Sequence, residues 1–176
     1  LVIWRTALAA GGGALVLLAF KKNALKIPAR TRLSLLGVGC IVGVHWLCFF
    51  GAIRLSNISI CLAGMATTSF FTAFTEPWLE KRRVRPLEVA LGLLVLCGIL
   101  MVAGFERGRI AGLLTALLGA FLAAVFPVLN RRIVKREKLD PLAMVTWEMI
   151  GACLICLAAL PWFEGRGAYG KLLDLQ

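Results

Sequence analysis

Six long apolar runs divide this chain, and the gaps between them alternate between strongly and weakly basic. The runs are Leu1–Phe20, Leu33–Ile53, Ile58–Phe74, Val89–Phe105, Ile110–Leu129 and Leu142–Phe163. Each is close to the roughly 20 residues that a helix needs to cross a bilayer core of about 30 Å. A helix is also the open-chain element that satisfies its own backbone hydrogen bonds in lipid. We therefore predict an all-α, polytopic membrane helix bundle.

The basic gaps predict how these helices are oriented. Fourteen of the 20 Lys and Arg residues lie in the first, third and fifth gaps, within residues 21–32, 81–86 and 131–139. Loops rich in Lys and Arg stay on the cytoplasmic side of a membrane. We predict that these three loops are cytoplasmic in a multi-pass protein of the cell (inner) membrane. Lipid is the first predicted partner, because anionic head groups attract such loops.

The net charge of +11 does not by itself indicate a nucleic-acid partner. Binding of a single strand needs aromatic side chains interleaved with a basic stripe, and the sequence has no such stripe. The six cysteines all lie inside apolar runs and lack metal-ligand spacing, so they are interpreted as small buried hydrophobic residues. We predict neither a metal site nor a cofactor.

Local signals mark helix ends and close helix contacts. Asp140-Pro141 is typical of an N-cap followed by a first-turn proline, and Pro86 stands in the same place before the fourth run. Small residues recur at a spacing of four, where they allow close helix approach in lipid. They form a long stripe on the fifth run and a short one on the second: Gly112, Ala116, Ala120 and Ala124, and Gly39 and Gly43.

The third run carries most of the polar residues expected at membrane depth. Gly64, Thr68, Thr72 and Glu76 are four apart and would share one helix face. Polar groups in lipid are costly, so this face is a candidate lining for a solute pathway. The alternative is that the hydroxyls bond to carbonyls of their own helix while Glu76 reaches Lys81 or Arg82.

The second run contains His45, the only histidine, followed by Trp46. The pKa of a histidine lies near physiological pH, so this side chain is a candidate for lining a central cavity or for carrying a proton. Bonding to a neighbouring helix is the alternative.

A short internal likeness adds four candidates. Val2-Ile3-Trp4-Arg5 resembles Val145-Thr146-Trp147-Glu148, and the two runs cross in opposite directions. An inverted-topology repeat would leave this likeness, and Arg5 and Glu148 would then guard the two mouths of one pathway. Alternatively, each charge pairs locally.

The stretch from His45 to Gly104 resembles the EamA-like branch of the drug/metabolite transporter superfamily. The likeness lies in His45-Trp46, in Gly51–Ser56, and in the Thr-rich run that closes with Phe74-Thr75-Glu76-Pro77 and Glu80–Arg83. Ile110–Arg132 is similar to the opening helix of that family's second repeat. The resemblance implies part of a five-plus-five inverted-repeat fold, with most of the first repeat in 1–105 and the start of the second in 106–176. The family usually has a proline where this chain reads Ala66-Thr67-Thr68.

These observations predict a fragment of a transporter, an exporter of amino acids or related small solutes, that works by alternating access rather than as an enzyme. The residues predicted to line the pathway are His45, Trp46, Thr68, Thr72 and Glu76, followed by Trp4, Arg5, Trp147 and Glu148. Two alternatives are a non-transporting scaffold subunit and a membrane-embedded enzyme that uses His45 and Glu76. A homodimer is left open.

Overall fold

The computed structural model describes residues 2–21, 23–105 and 109–164, which form seven helices and no strand. The helices are α1 (Val2–Phe20), α2 (Ala29–Leu55), α3 (Ile58–Ala66), α4 (Thr68–Glu80), α5 (Pro86–Phe105), α6 (Ile110–Glu137) and α7 (Pro141–Glu164). Predictions for Lys22, for most of the gap between the fourth and fifth runs, and for 165–176 lie outside the described residues.

Five segments are long and apolar enough to cross a membrane: Val2–Phe20, Ala29–Leu55, Ile58–Glu80, Ile110–Glu137 and Pro141–Pro161. The third of these combines α3 and α4. In the fourth predicted run, α5 covers Pro86–Phe105, and its stretch Pro86–Ile99 counts as an apolar helix shorter than a span. The prediction of an all-helical, multi-pass membrane bundle is therefore confirmed for five spans, and the sixth span stays a prediction.

Two helix starts agree with the sequence signals, since α5 begins at Pro86 and α7 at Pro141. A carboxylate oxygen of Asp140 accepts from the backbone N–H of Leu142 at 3.0 Å, as an N-cap does. The basic gaps are less loop-like than predicted. Helix α6 continues to Glu137, and α2 already begins at Ala29. Lys and Arg are good helix formers, and cations are favourable near the C-terminus of a helix such as α6.

The third run is not the single helix that the sequence predicts. It breaks at Thr67, which ends α3 and precedes α4 with φ −67° and ψ −7°. The break coincides with Ala66-Thr67-Thr68, a stretch without proline. Because the chain turns there, the spacing of four from Gly64 to Glu76 does not define one continuous helix face.

The chain divides into two compact units. Unit 1 consists of Leu1–Gly43 and Leu139–Gln176, and unit 2 of Val44–Lys138. Helix α2 therefore belongs to unit 1 in its first half and to unit 2 in its second. The predicted repeat boundary at 105/106 concerns internal repetition rather than compactness, so it stays a prediction.

In unit 1, α7 contacts both α1 and the first half of α2. A Cβ added at Gly39 would meet the carbonyl group of Glu148, and one added at Gly43 would lie 2.9 Å from the carbonyl oxygen of Ala152. These paired contacts show that α2 and α7 run parallel. Helix α1 is antiparallel to α7, because Lys21 at its end pairs with Asp140 at 2.6 Å. The close approach predicted for Gly39 and Gly43 is confirmed.

In unit 2, α6 is the central packing partner. Its small-residue stripe is buried as predicted, with Gly112, Ala116, Ala120 and Ala124 all in the interior. A Cβ at Gly64 of α3 would lie 2.5 Å from that of Ala116, and Phe71 of α4 meets Phe121 at 5.6 Å between ring centroids. Helices α4 and α6 run parallel, so their basic ends lie at the same end of the unit.

Candidate functional site

The residues predicted to line a pathway fall into two sets. His45, Trp46, Thr68, Thr72 and Glu76 belong to unit 2. Trp4, Arg5, Trp147 and Glu148 belong to unit 1. Each set is described within its own unit.

In unit 2, hydroxyl groups build the break between α3 and α4. Three consecutive hydroxyls donate to the carbonyl three residues earlier: Thr67 to Gly64 at 2.6 Å, Thr68 to Met65 at 2.7 Å and Ser69 to Ala66 at 3.2 Å. The Gly64 carbonyl also accepts from the backbone N–H of Thr67 at 3.1 Å. Carbonyls at a helix end that have no such partner need another donor, because lipid offers no water. The hydroxyls of the Thr-rich sequence thus provide hydrogen bonds to the carbonyls at an interruption near the middle of a membrane span, where no proline is present.

His45 bonds to a neighbouring helix, which was the alternative to a role in lining a cavity. Its Nδ1 lies 2.9 Å from the carbonyl oxygen of Gly119 on α6, and its ring centroid lies 6.0 Å from that of Phe126. A Cβ at Gly119 would lie 3.4 Å from Sδ of Met65, just before the break. The second half of α2, α6 and the break therefore meet at one level of unit 2.

The neighbouring candidates are half-buried. The Thr72 hydroxyl donates to the carbonyl of Thr68 at 2.8 Å, and the Trp46 ring lies 6.3 Å from that of Phe50. For Thr68 and Thr72, the structure therefore confirms bonding to carbonyls of their own segment. Each hydroxyl oxygen still has lone pairs that can accept a hydrogen bond.

Glu76 lies in an ionic cluster at the basic end of unit 2. Its two carboxylate oxygens are 2.5 Å from Arg131 and 3.1 Å from Arg82. Glu80 adds contacts of 3.4 Å to Arg131 and 3.6 Å to Lys135. The side chains of both glutamates are only 19% exposed. We call Glu76, Glu80, Arg82, Arg131 and Lys135 the ionic cluster.

Arg82 was one of the alternative partners predicted for Glu76, whereas Arg131 was not predicted. The direction of the helices could have predicted the pairing of Glu76 with Arg131. The third and fifth runs both end at basic gaps, so parallel neighbours would bring Glu76 and Arg131 to the same end. A second contact joins α4 to α6 near this end. The hydroxyl of the buried Thr75 donates to the carbonyl of Ala124 at 3.4 Å.

In unit 1, Glu148 is buried, with 4% of its surface exposed, whereas Arg5 is exposed and Trp4 is 42% exposed. Glu148 shares the unit's interior with three buried threonines, Thr6, Thr31 and Thr146. The ring of Trp147 packs under the Arg32 guanidinium at 5.4 Å, within cation–π range. The charges predicted to guard two mouths therefore have very different surroundings.

Within the described part of the chain, no three His, Cys, Asp or Glu side chains come together as a metal site would require. The cysteine thiols are free. Several donate between helices, including Cys40 to the Gly151 carbonyl at 3.6 Å and Cys156 to that of Gly43 at 3.8 Å. These contacts reinforce the packing of α2 on α7.

No family model matches the chain, and neither a curated protein nor a solved structure matches it.

Proposed function

We propose that this chain is part of a membrane transporter for small solutes that works by alternating access. The observation that carries the proposal is the hydroxyl-lined break of the third span beside His45. Non-helical backbone at membrane depth is tolerated where it is buried in protein or lines a cavity, and interrupted helices of this kind form solute sites in transporters. The half-buried state of His45, Thr68 and Thr72 leaves their surfaces partly accessible.

The ionic cluster supports the second requirement of alternating access, which is a closure at one end of the site. Glu76 is nine residues beyond Thr67, or about 13 Å along a helix. Its contacts with Arg131 and Arg82 join the ends of α4 and α6 and the segment before α5. Ion pairs that are partly exposed can be exchanged for water at modest cost. We infer that the ionic cluster closes the inner end of the site.

The resemblance to EamA-like transporters agrees with this proposal and extends it. It implies an inverted repeat with a boundary at 105/106, export of amino acids or related solutes, and cytoplasmic basic loops in the cell membrane. Within each unit, the helix directions agree with alternate crossings: α1 is antiparallel to α7, α2 is parallel to α7, and α4 is parallel to α6.

The alternative functions have less support. An enzyme with His45 and Glu76 as an acid–base pair needs both groups within reach of one substrate. Instead, Nδ1 of His45 bonds to Gly119, and both oxygens of Glu76 accept from arginines. A scaffold subunit would not need the hydroxyl-satisfied break in a span.

The test is solute flux by the full-length protein reconstituted in vesicles. Flux of an amino acid or related solute is expected in the wild type, and we expect Glu76→Gln and Thr72→Val to reduce it. Thr115→Val is the matched control, because Thr115 makes the same bond to its own helix, donating to Ala111 at 2.7 Å. Unchanged flux in the Glu76 and Thr72 variants would mean that these residues are structural, and vesicles without any flux would refute transport.

A further inference from the structure

The ring of His45 presents a hydrogen-bond acceptor to its surroundings. Its Nδ1 lies 2.9 Å from the carbonyl oxygen of Gly119. A carbonyl oxygen only accepts, so Nδ1 carries the hydrogen and donates it. In the neutral ring the second nitrogen, Nε2, then has a lone pair and no hydrogen.

The two threonines of the same site have also used their donors. A hydroxyl has one hydrogen, and Thr68 directs its hydrogen to Met65 at 2.7 Å while Thr72 directs its hydrogen to Thr68 at 2.8 Å. The lone pairs of the two oxygens are what remains for another partner. With the His45 ring neutral, His45, Thr68 and Thr72 offer acceptors to a further partner.

A series of contacts links His45 to Thr68 and Thr72. His45 bonds to Gly119, position 119 adjoins Met65, and the Met65 carbonyl accepts from Thr68. Thr72 lies one turn further along α4. The nearest arginines at the basic end, Arg82 and Arg131, already donate to Glu76.

Three neighbouring groups that offer only acceptors discriminate strongly between solutes. A carboxylate or phosphate placed there would lose its water without gaining a donor, which is costly for a charged group. An amine keeps its N–H hydrogens paired. Sites built to hydrogen-bond a group reject analogues that lack it, because the buried polar atoms are then left unsatisfied.

We propose that the site at His45, Thr68 and Thr72 binds solutes through their N–H donors, so that primary amines are its preferred class and carboxylates and phosphates are rejected at this point. The inference rests on the proposed transport function and specifies the solute for that site. An amino acid would be held by its ammonium group, with its carboxylate directed elsewhere.

The test compares three probes of one shape on the full-length protein in lipid nanodiscs, with binding measured by titration calorimetry. The probes are 2-phenylethylamine, its N,N,N-trimethylammonium analogue, which keeps the charge but has no N–H, and 3-phenylpropionate. We expect the amine to bind roughly tenfold tighter than the trimethyl analogue, as expected for one charge-assisted hydrogen bond. The carboxylate should bind most weakly.

Variants test whether the preference for the amine depends on His45 and Thr72. His45→Phe and Thr72→Val should each reduce the preference for the amine over its trimethyl analogue, Thr72→Ser should restore it, and Thr115→Val should leave it unchanged. The inference is overturned if the carboxylate binds as tightly as the amine, if none of the probes binds, or if the preference survives in both variants. Because binding is measured without flux, failure of this inference is distinguishable from failure of the transport proposal.

Discussion

The two units hold their helices together by different kinds of contact. In unit 1, α2 and α7 touch backbone to backbone at Gly39 and Gly43, and a carboxylate is enclosed at Glu148. In unit 2, the closest glycine contacts are with both side chains and backbone, hydroxyls bond to the carbonyls at the break of a span, and the carboxylate of Glu76 is ion-paired at one end. Backbone atoms in contact cannot shift independently, whereas side chains and hydrogen bonds can. We expect unit 1 to be rigid and unit 2 to accommodate rearrangement.

The largest effect should come from Gly39→Ala. The added methyl would meet the backbone carbonyl of Glu148, so the two helices would have to move apart. Overpacking of this kind costs about 3 kcal/mol of unfolding free energy. Unfolding by denaturant in detergent measures the loss.

Two glycine variants serve as controls for that experiment. Gly37→Ala on the same helix has open space around the new Cβ and should be neutral or slightly stabilising. Gly119→Ala in unit 2 would meet Cys48 at 3.2 Å and the flexible Met65 at 3.4 Å, so its loss should be clearly smaller. Equal losses for Gly39→Ala and Gly119→Ala would mean that the backbone contact at Gly39 is no more restrictive than the side-chain contacts at Gly119.

A second, smaller effect is expected at the break of unit 2. Replacing Thr67 and Thr68 by Val and Ser69 by Ala removes three donors to the carbonyls of 64–66. At about 0.5–1.5 kcal/mol for each hydrogen bond, the combined loss should be roughly 2 kcal/mol, since Ser69 is exposed. The same unfolding measurement applies, with Thr115→Val as the single-hydroxyl control. If the triple variant were as stable as the wild type, these hydroxyls would not maintain the break.

The ionic cluster should contribute less, because its charges are partly exposed. Glu76→Gln leaves Arg131 and Arg82 without their shared carboxylate and should cost about 1 kcal/mol. The loss should shrink in high salt, which screens exposed charges. Lys135→Gln is the control, since its side chain is 68% exposed and its contact with Glu80 is longer, at 3.6 Å. A Glu76→Gln loss that is independent of salt would contradict the ion-pair explanation.

The smallest effect is expected at the ion pair that joins α1 to α7. The Lys21 ammonium donates to Asp140 and lowers the pKa of that carboxyl below its ordinary value near 3.8. A lowered folded-state pKa means that the stabilisation is fully present above about pH 4 and is lost as the pH falls through the folded value. Melting temperatures of the wild type and of Asp140→Asn should therefore differ slightly at pH 7 and converge in acid. A difference that grows in acid would reverse the sign.

Local patterns in the sequence predicted much of the fold. Apolar length located the helices, Asp140-Pro141 and Pro86 located two helix starts, and Gly39 and Gly43 located a close contact. These features depend on neighbouring residues along the chain. The partner Arg131 and the burial of Glu148 depend on which helices adjoin, and that is not encoded in spacing within one run.

The break at Thr67 shows another limit of prediction from the sequence. Hydroxylated residues in an apolar run are compatible both with a polar helix face and with a helix end, because the same side chain can serve a solute or its own backbone. For Thr68 and Thr72, a solute-lining role and a bond to their own helix were both predicted as alternatives. Only the ψ angle of Thr67 and the i−3 direction of the three bonds decide that the span is interrupted.

An interruption stabilised by hydroxyls differs from one caused by proline, because every residue at the break keeps its amide hydrogen and its freedom to change φ. Proline deletes an amide hydrogen and fixes its own φ, which makes a bend permanent. Thr67, Thr68 and Ser69 retain their amide hydrogens, and the amide of Thr67 already donates to the Gly64 carbonyl at 3.1 Å beside its own hydroxyl. An amide donor can therefore share or replace a hydroxyl donor at these carbonyls. We therefore expect the joint between α3 and α4 to change its conformation more readily than a bend fixed by proline would.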